Sequence, residues 1–201
     1  MGNATQFESI IEDIREKIMP LYKQLHAYVR GRLCELYKNR FDCNGPIPAH
    51  ILGNMWAQQW QTRFDDLMPY PDSPLVNITT VLLEADISIH EFYKLGEDFF
   101  TSIGLYPMTS KFWSKSLFKQ PKDRAVVCQP SAANMAYTDD YRVKICTQIN
   151  DQYFYTIHHE LGHVEYYMAY EKHQPILYRS GASPAFHEAI GDTIGMFASE
   201  N

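Results

Sequence analysis

Residues 158–163 read HHELGH, so His159 and His163 stand four positions apart with Glu160 beside the first. On a helix, residues four apart lie one above the other on the same face. Two imidazoles placed this way can reach one zinc ion at about 2.0–2.1 Å. Glu160 then flanks the metal, where it can hold and deprotonate a water that the metal activates. The alternative is an amphipathic helix that merely contains these residues. Random order in a chain of this composition gives roughly 0.02 HExxH matches, which counts against coincidence. The context agrees: no proline interrupts 152–172, and Leu161, Val164, Tyr166 and Tyr167 supply apolar flanks.

Catalytic zinc usually takes three protein ligands and keeps one position for water. The segment SPAFHEAIGDTIGMF offers His187, Glu188 and Asp192 among small and apolar residues. With Glu188 on the metal, Asp192 falls one turn along the same face and can accept the remaining ring N–H of a ligand histidine. A solvent-exposed acid, or an acid stabilised by the helix dipole near Ser183, is the alternative. His26, His50, His90 and His173 sit in polar or turn settings and read as solvated or core histidines.

The elements that must position these residues are mostly helical. Phe7, Ile10, Ile11, Ile14, Ile18, Leu21, Leu25, Tyr28, Val29 and Leu33 recur at steps of three and four, which predicts a long amphipathic helix. TQFE at Thr5–Glu8 is a capping box to open it, and Pro20 should kink or interrupt it. After the turn NGPIP, the stretch 49–64 resumes helical spacing with Leu52, Trp56, Trp60 and Phe64 on one face. YPDSP near Pro71 is a loop. SIHE at Ser88–Glu91 caps a helix that stops at Gly104. Two strands are predicted near 124–128 and 141–147, then helices over 152–172 and about 183–199.

With 45% hydrophobic and 14% aromatic residues in 201, the chain can bury a substantial core and reads as one globular unit. A formal net charge of -6, with Lys and Arg scattered, argues against a nucleic-acid surface. Apolar stretches are too short for a membrane span, and the start lacks the apolar middle of a signal peptide. Four cysteines show no CxxC spacing. Cys128 and Cys146 end or lie in the two strand-like segments, so a bridge across the pair is reasonable. Cys34 and Cys43, nine apart, either pair or stay as small buried hydrophobes. Asn3 and Asn77 head NAT and NIT, weak glycosylation sequons that fit an exported protein.

HHELGH at 158–163 followed by GASPAFHEAIGD at 181–192 resembles the zinc core of the angiotensin-converting enzyme family of peptidyl-dipeptidases, which reads HHExGH and GANxGFHEAxG(D/E). GPIPAHILGNMWAQQW, DFFTSIGL, FWSKSL and the C-x17-C pair Cys128 and Cys146 resemble it in the same order, from about Phe7 to Ser199. The resemblance implies a mainly α fold, a partial helical zinc-metallopeptidase with one small two-stranded β segment bridged by a disulfide. Within a single partial peptidase domain, it implies a helical substrate-cleft scaffold over 1–120, a β segment lining the cleft over 121–150 and zinc-binding helices over 151–201. By the same resemblance His159, His163 and Glu188 bind one Zn2+, Glu160 is the general base and then the proton donor to the leaving amine, and Asp192 braces a ligand. Gln58 would help hold the C-terminal carboxylate of an oligopeptide substrate, so that a dipeptide is released. Ser131 and Ala132 would form the edge along which the peptide lies as an added strand.

Where the family reads CHASAW this chain reads CQPSAA, so Gln129 replaces a substrate-contacting histidine and Ala133 an aromatic residue. Glutamine can donate a hydrogen bond but carries no charge, which predicts altered specificity or weaker turnover. Family catalytic units continue past the GFHEAxGD helix to supply carboxylate-binding, oxyanion and chloride-binding groups. The chain is therefore expected to be a fragment of a secreted protein or membrane-anchored ectodomain, with little activity on its own and with chloride a candidate cofactor of the full-length enzyme. A non-catalytic peptide-binding relative and another HExxH peptidase, such as an aminopeptidase, are the competing readings. Intact ligands weigh against the first and the absence of a GxMEN-type stretch against the second.

Overall fold

The computed structural model describes residues 3–38, 40–53, 56–57, 60–70 and 78–200. In chain order these form α1 (Ala4–Tyr37), α2 (Phe64–Leu67), α3 (Ile78–Glu84), α4 (Ile89–Ser102), α5 (Ser110–Lys115), β1 (Ser131–Asn134), β2 (Tyr141–Lys144), α6 (Asp151–His173) and α7 (Pro184–Glu200). The class is mainly α with one two-stranded antiparallel sheet, as expected. The chain gathers into two compact units, Met1–Leu75 and Val76–Asn201, each with its own buried cluster.

In the first unit, α1 starts earlier than the Thr5–Glu8 capping box implies. Asn3 is the N-cap, its Oδ1 accepting the Gln6 N–H at 3.0 Å, and Asn is at least as good a cap as Thr. Pro20 does not interrupt the helix. Its missing N–H deprives only the carbonyl of Glu16, an exposed residue whose carbonyl water can satisfy. Val29 and Leu33 pack with Ile47 and Leu52, and a Cys34–Cys43 disulfide ties the last turns of α1 to the following loop. Most of the earlier apolar stripe, Phe7 to Leu25, is exposed. The helix expected over 49–64 does not form. Gly53 (φ 92°) and Ala57 (φ 56°) take the left-handed region, which a right-handed helix cannot contain. What remains is short 3-10 turns at Ala49–Ile51 and Trp60–Arg63, then α2.

The second unit carries the larger core. The Ser88–Glu91 capping box forms, with the Ser88 hydroxyl accepting the Glu91 N–H (3.2 Å) and the Glu91 carboxylate accepting the Ser88 N–H (2.7 Å). α4 ends before Gly104 at φ 86°. Phe92, Tyr93 and Phe100 of α4 are buried in one cluster with Ile157, Leu161, Val164 and Met168 of α6. Gly96 permits the close approach, since a Cβ there would lie 2.7 Å from Leu161 Cδ1.

The first strand falls at Ser131–Asn134, not at 124–128. Pairing runs from Ser131↔Lys144 to Asn134↔Tyr141, so it starts after Pro130, which has no N–H for a ladder. The Cys128–Cys146 disulfide forms just beyond that end of the sheet. On the far side of β2, the Leu117 N–H donates to Val143 O (2.9 Å) and the Ile145 N–H to Leu117 O (2.8 Å). β2 is thus covered on both edges. Among the described residues, no strand covers the outer edge of β1.

Candidate metal centre

α6 is held at its start by Asn150, whose side chain accepts the Tyr153 N–H at 2.9 Å. One side of the helix enters the α4 core and another meets α7, where Gly162 and Gly191 let the backbones close: a Cβ on Gly162 would lie 3.3 Å from Gly191 Cα. This approach brings Glu188 to the two histidines. Its Oε2 is 3.3 Å from His159 Nε2 and 3.5 Å from His163 Nε2, and one ligand atom from each of the three residues lies within 4.8 Å of the others. A tetrahedron with bonds of about 2.0–2.1 Å has edges of roughly 3.3–3.4 Å. Two imidazole nitrogens and a carboxylate oxygen at this spacing fit zinc, with a fourth position left over.

The remaining ring nitrogens are engaged from α7. Asp192 Oδ1 lies 3.0 Å from His159 Nδ1 but off the axis of the ring N–H, so Nδ1 makes no in-line hydrogen bond. His163 Nδ1 and His187 Nδ1 share a hydrogen bond of 2.7 Å. The His187 ring packs obliquely against Tyr166 and Tyr167, each 4.9 Å away between centroids. Burial, then the adjacent His159 and His187 rings, pushes His163 down to about 4. A neutral ring is the form that binds a metal. His187 as a brace was missed by the sequence reading, because its only signal was adjacency to Glu188.

Glu160 is 7% exposed and its Oε2 has no hydrogen-bond partner. Burial first, and then the charge of Glu188, pushes its carboxyl up to about 7. A carboxyl poised near neutrality can both take and return a proton.

Ser131 and Ala132 lie on β1, the first exposed and the second half-buried. Met135 donates to Asp140 O, and Val143, opposite Ala132, gives its N–H to Ser116 Oγ instead of the ladder. By antiparallel alternation the backbone groups of Ala132 therefore face the outer edge of β1. Tyr167 of α6 donates to Ala132 O at 3.3 Å, tying that edge to the helix of the histidines. Gln129 is exposed just ahead of β1. Asn3 is exposed as the cap of α1. Gln58 and Asn77 lie outside the described residues.

This mainly helical chain brings an HExxH pair and a glutamate from the next helix to one point, the donor set of a two-histidine, one-glutamate metal site. A family model described as Angiotensin-converting enzyme (Peptidase_M2) matches residues 3–201. The chain is 44% identical over 195 residues to an Angiotensin-converting enzyme of Haematobia irritans exigua, 96% of this chain and 32% of the relative. To that of Bos taurus it is 43% identical over 195 residues, 96% of this chain and 15% of the relative. To that of Theromyzon tessulatum it is 46% identical over 187 residues, 92% and 30%. The chain therefore belongs to the angiotensin-converting enzyme family of peptidases, and it spans a third or less of these relatives' length.

Proposed function

We propose that the chain is part of a zinc-dependent peptidyl-dipeptidase domain that releases C-terminal dipeptides from oligopeptides. His159, His163 and Glu188 hold the ion and Glu160 is the general base. The observation that carries this reading is the meeting of those three ligand atoms beside the buried, unpartnered Oε2 of Glu160. Zinc would supply Lewis acidity, polarising the scissile carbonyl and making a water easier to deprotonate.

Glu160 takes the proton of the attacking water at Oε2 and hands it to the nitrogen of the leaving amine. The C–O bond forms first, and the C–N bond breaks once the nitrogen has received the proton, so one water is consumed and a carboxylate and an amine result. Asp192 and His187 keep the two histidine rings turned toward the ion. The substrate lies along β1 as an added strand, using the outward backbone of Ala132 beside Ser131, and main-chain pairing gives affinity with little demand on side chains. Gln129 meets it as a neutral hydrogen-bonding group. By the family resemblance alone, Gln58 is assigned to the substrate's C-terminal carboxylate. Two disulfides suit an oxidising compartment. We therefore place the protein outside the cell, secreted or as an anchored ectodomain, with Asn3 and Asn77 as glycan acceptors. No described helix is long and apolar enough to cross a membrane.

The test is zinc content and dipeptide release by the intact protein. About one zinc per chain is expected, absent in His163→Ala. Glu160→Gln keeps the zinc and loses on the order of 10²–10⁴ in kcat. A folded parent protein without zinc would instead support a peptide-binding relative.

A further inference from the structure

We infer that Tyr155 is a positioning residue for the metal centre, orienting His159 through a shared oxygen of Asp192. This rests on the proposed zinc site. Tyr155 stands one turn before His159 on α6, and its hydroxyl donates to Asp192 Oδ1 at 2.8 Å. The same Oδ1 lies 3.0 Å from His159 Nδ1. One carboxylate oxygen thus bridges two side chains of α6 from a position on α7. By itself the Asp192 contact leaves His159 with an off-axis partner, and Asp192 is half exposed, at 50%. An exposed carboxylate on a helix has several rotamers to choose from. The hydroxyl of Tyr155 selects the one that faces His159.

The packing supports a built arrangement. α7 presents Gly191 and Gly195 to α6, four residues apart on one face. A Cβ on Gly191 would come within 2.8–2.9 Å of three atoms of the His159 ring, and one on Gly195 within 2.8–3.1 Å of three atoms of the Tyr155 ring. Each ring therefore lies flat in a groove that a missing side chain leaves open, with the Asp192 carboxylate between the two. The chemistry agrees in direction. Burial first, then the Asp192 hydrogen bond and charge, pushes the Tyr155 phenol up to about 12, so it stays protonated as a donor at physiological pH. Asp192 fixed in this place can accept the Nδ1 proton's hydrogen bond once the ring turns toward it, which leaves Nε2 as the lone-pair nitrogen on the side of Glu188.

Partners of metal-binding histidines are commonly worth 10–100-fold in metal affinity. Tyr155 acts one contact further out, so we expect Tyr155→Phe to weaken zinc binding by roughly 10-fold. The measurement is competition against a chelator on the intact protein, with zinc as the probe. Phenylalanine keeps the ring against Gly195, so the melting temperature of the chelated variant should match that of the chelated parent. In an Asp192→Ala background, Tyr155→Phe should add nothing further, because the path through the carboxylate is already gone. Cobalt(II) substitution gives an independent signature, a shifted visible spectrum in Tyr155→Phe reflecting altered ligand geometry. If parent and Tyr155→Phe bind zinc equally well, or if the loss persists undiminished without Asp192, the inference is overturned while the zinc site stands. If the folded parent binds no zinc at all, the metal-centre reading fails and this inference with it.

Discussion

Asp140 shows how a single buried charge can report on the fold apart from the metal centre. The residue is 2% exposed, and its carboxylate accepts from Arg142 Nε (2.8 Å) and Nη2 (3.0 Å) and from Lys115 Nζ (3.2 Å), linking α5 to the start of β2. The Arg142 hydrogen bonds first, then Lys115, pull its carboxyl down to about 2. A carboxyl with a depressed folded value stabilises above its ordinary value and loses that contribution as pH falls through the folded one. Asp140→Asn is therefore less stable than the parent at pH 7, and the gap narrows between about pH 4 and pH 2. Urea denaturation across that range checks it, and a gap that does not change with pH would rule the ion pair out as its source. Gln129 is tested differently, by dipeptide release from a blocked tripeptide. Gln129→His is expected to change kcat/KM if the neutral side chain shapes the pocket, and equal kinetics count against that role. At this scale the meeting of His159, His163 and Glu188 was legible, because HExxH requires only helical spacing and Glu188 stands in a segment of mostly small and apolar residues. Tyr155 and His187 were not. Their roles arise from which face of α6 meets which face of α7, and no local pattern encodes that.

Helices were legible in proportion to how local their signals are. The Ser88–Glu91 box and the Gly104 stop define α4 almost to the residue, and α6 lies within a residue of its expected bounds. The helix expected over 49–64 failed because two left-handed residues, Gly53 and Ala57, outweigh a favourable apolar spacing. The strand expected at 124–128 failed because pairing partners, not composition, decide which segment joins the sheet: Ser131–Asn134 pairs although it holds no β-branched residue. Glycines separate local from tertiary demands in a way that can be measured. Gly31 is exposed in α1, with nothing within 4 Å of where a Cβ would stand. Gly31→Ala should then stabilise by roughly 0.5–1 kcal/mol through helix propensity alone. Gly191→Ala gains the same propensity but drives a methyl into the His159 ring, where overpacking costs about 1–3 kcal/mol. Thermal melts should show opposite signs, and weaker zinc binding should accompany the second substitution only. A stabilised Gly191→Ala protein with unchanged zinc affinity would contradict the packing described for α6 and α7.

For the whole molecule, the proposed ligand set lies on two helices: His159 and His163 belong to α6 and Glu188 to α7. A bound ion would therefore cross-link two elements that already pack closely, through Gly162, Gly191 and Gly195 and through the rings of Tyr166, Tyr167 and His187. Such a ligand stabilises the folded state by mass action, about 2.7 kcal/mol when free zinc is 100 times its Kd. For a chain of this length, 1 kcal/mol moves the melting temperature by roughly 2–4 °C. Saturating zinc should thus raise the melting temperature of the chelated protein by about 5–11 °C. The unit Val76–Asn201 contains all three ligands, and its transition is the one that should move. His163→Ala should abolish the shift. Glu160→Gln should preserve it, because that carboxylate is assigned to the proton and not to the ion. Calorimetry with and without a chelator separates the two roles of the HELGH segment. A zinc-dependent shift that survives His163→Ala would mean that the stabilising ion sits elsewhere in the chain.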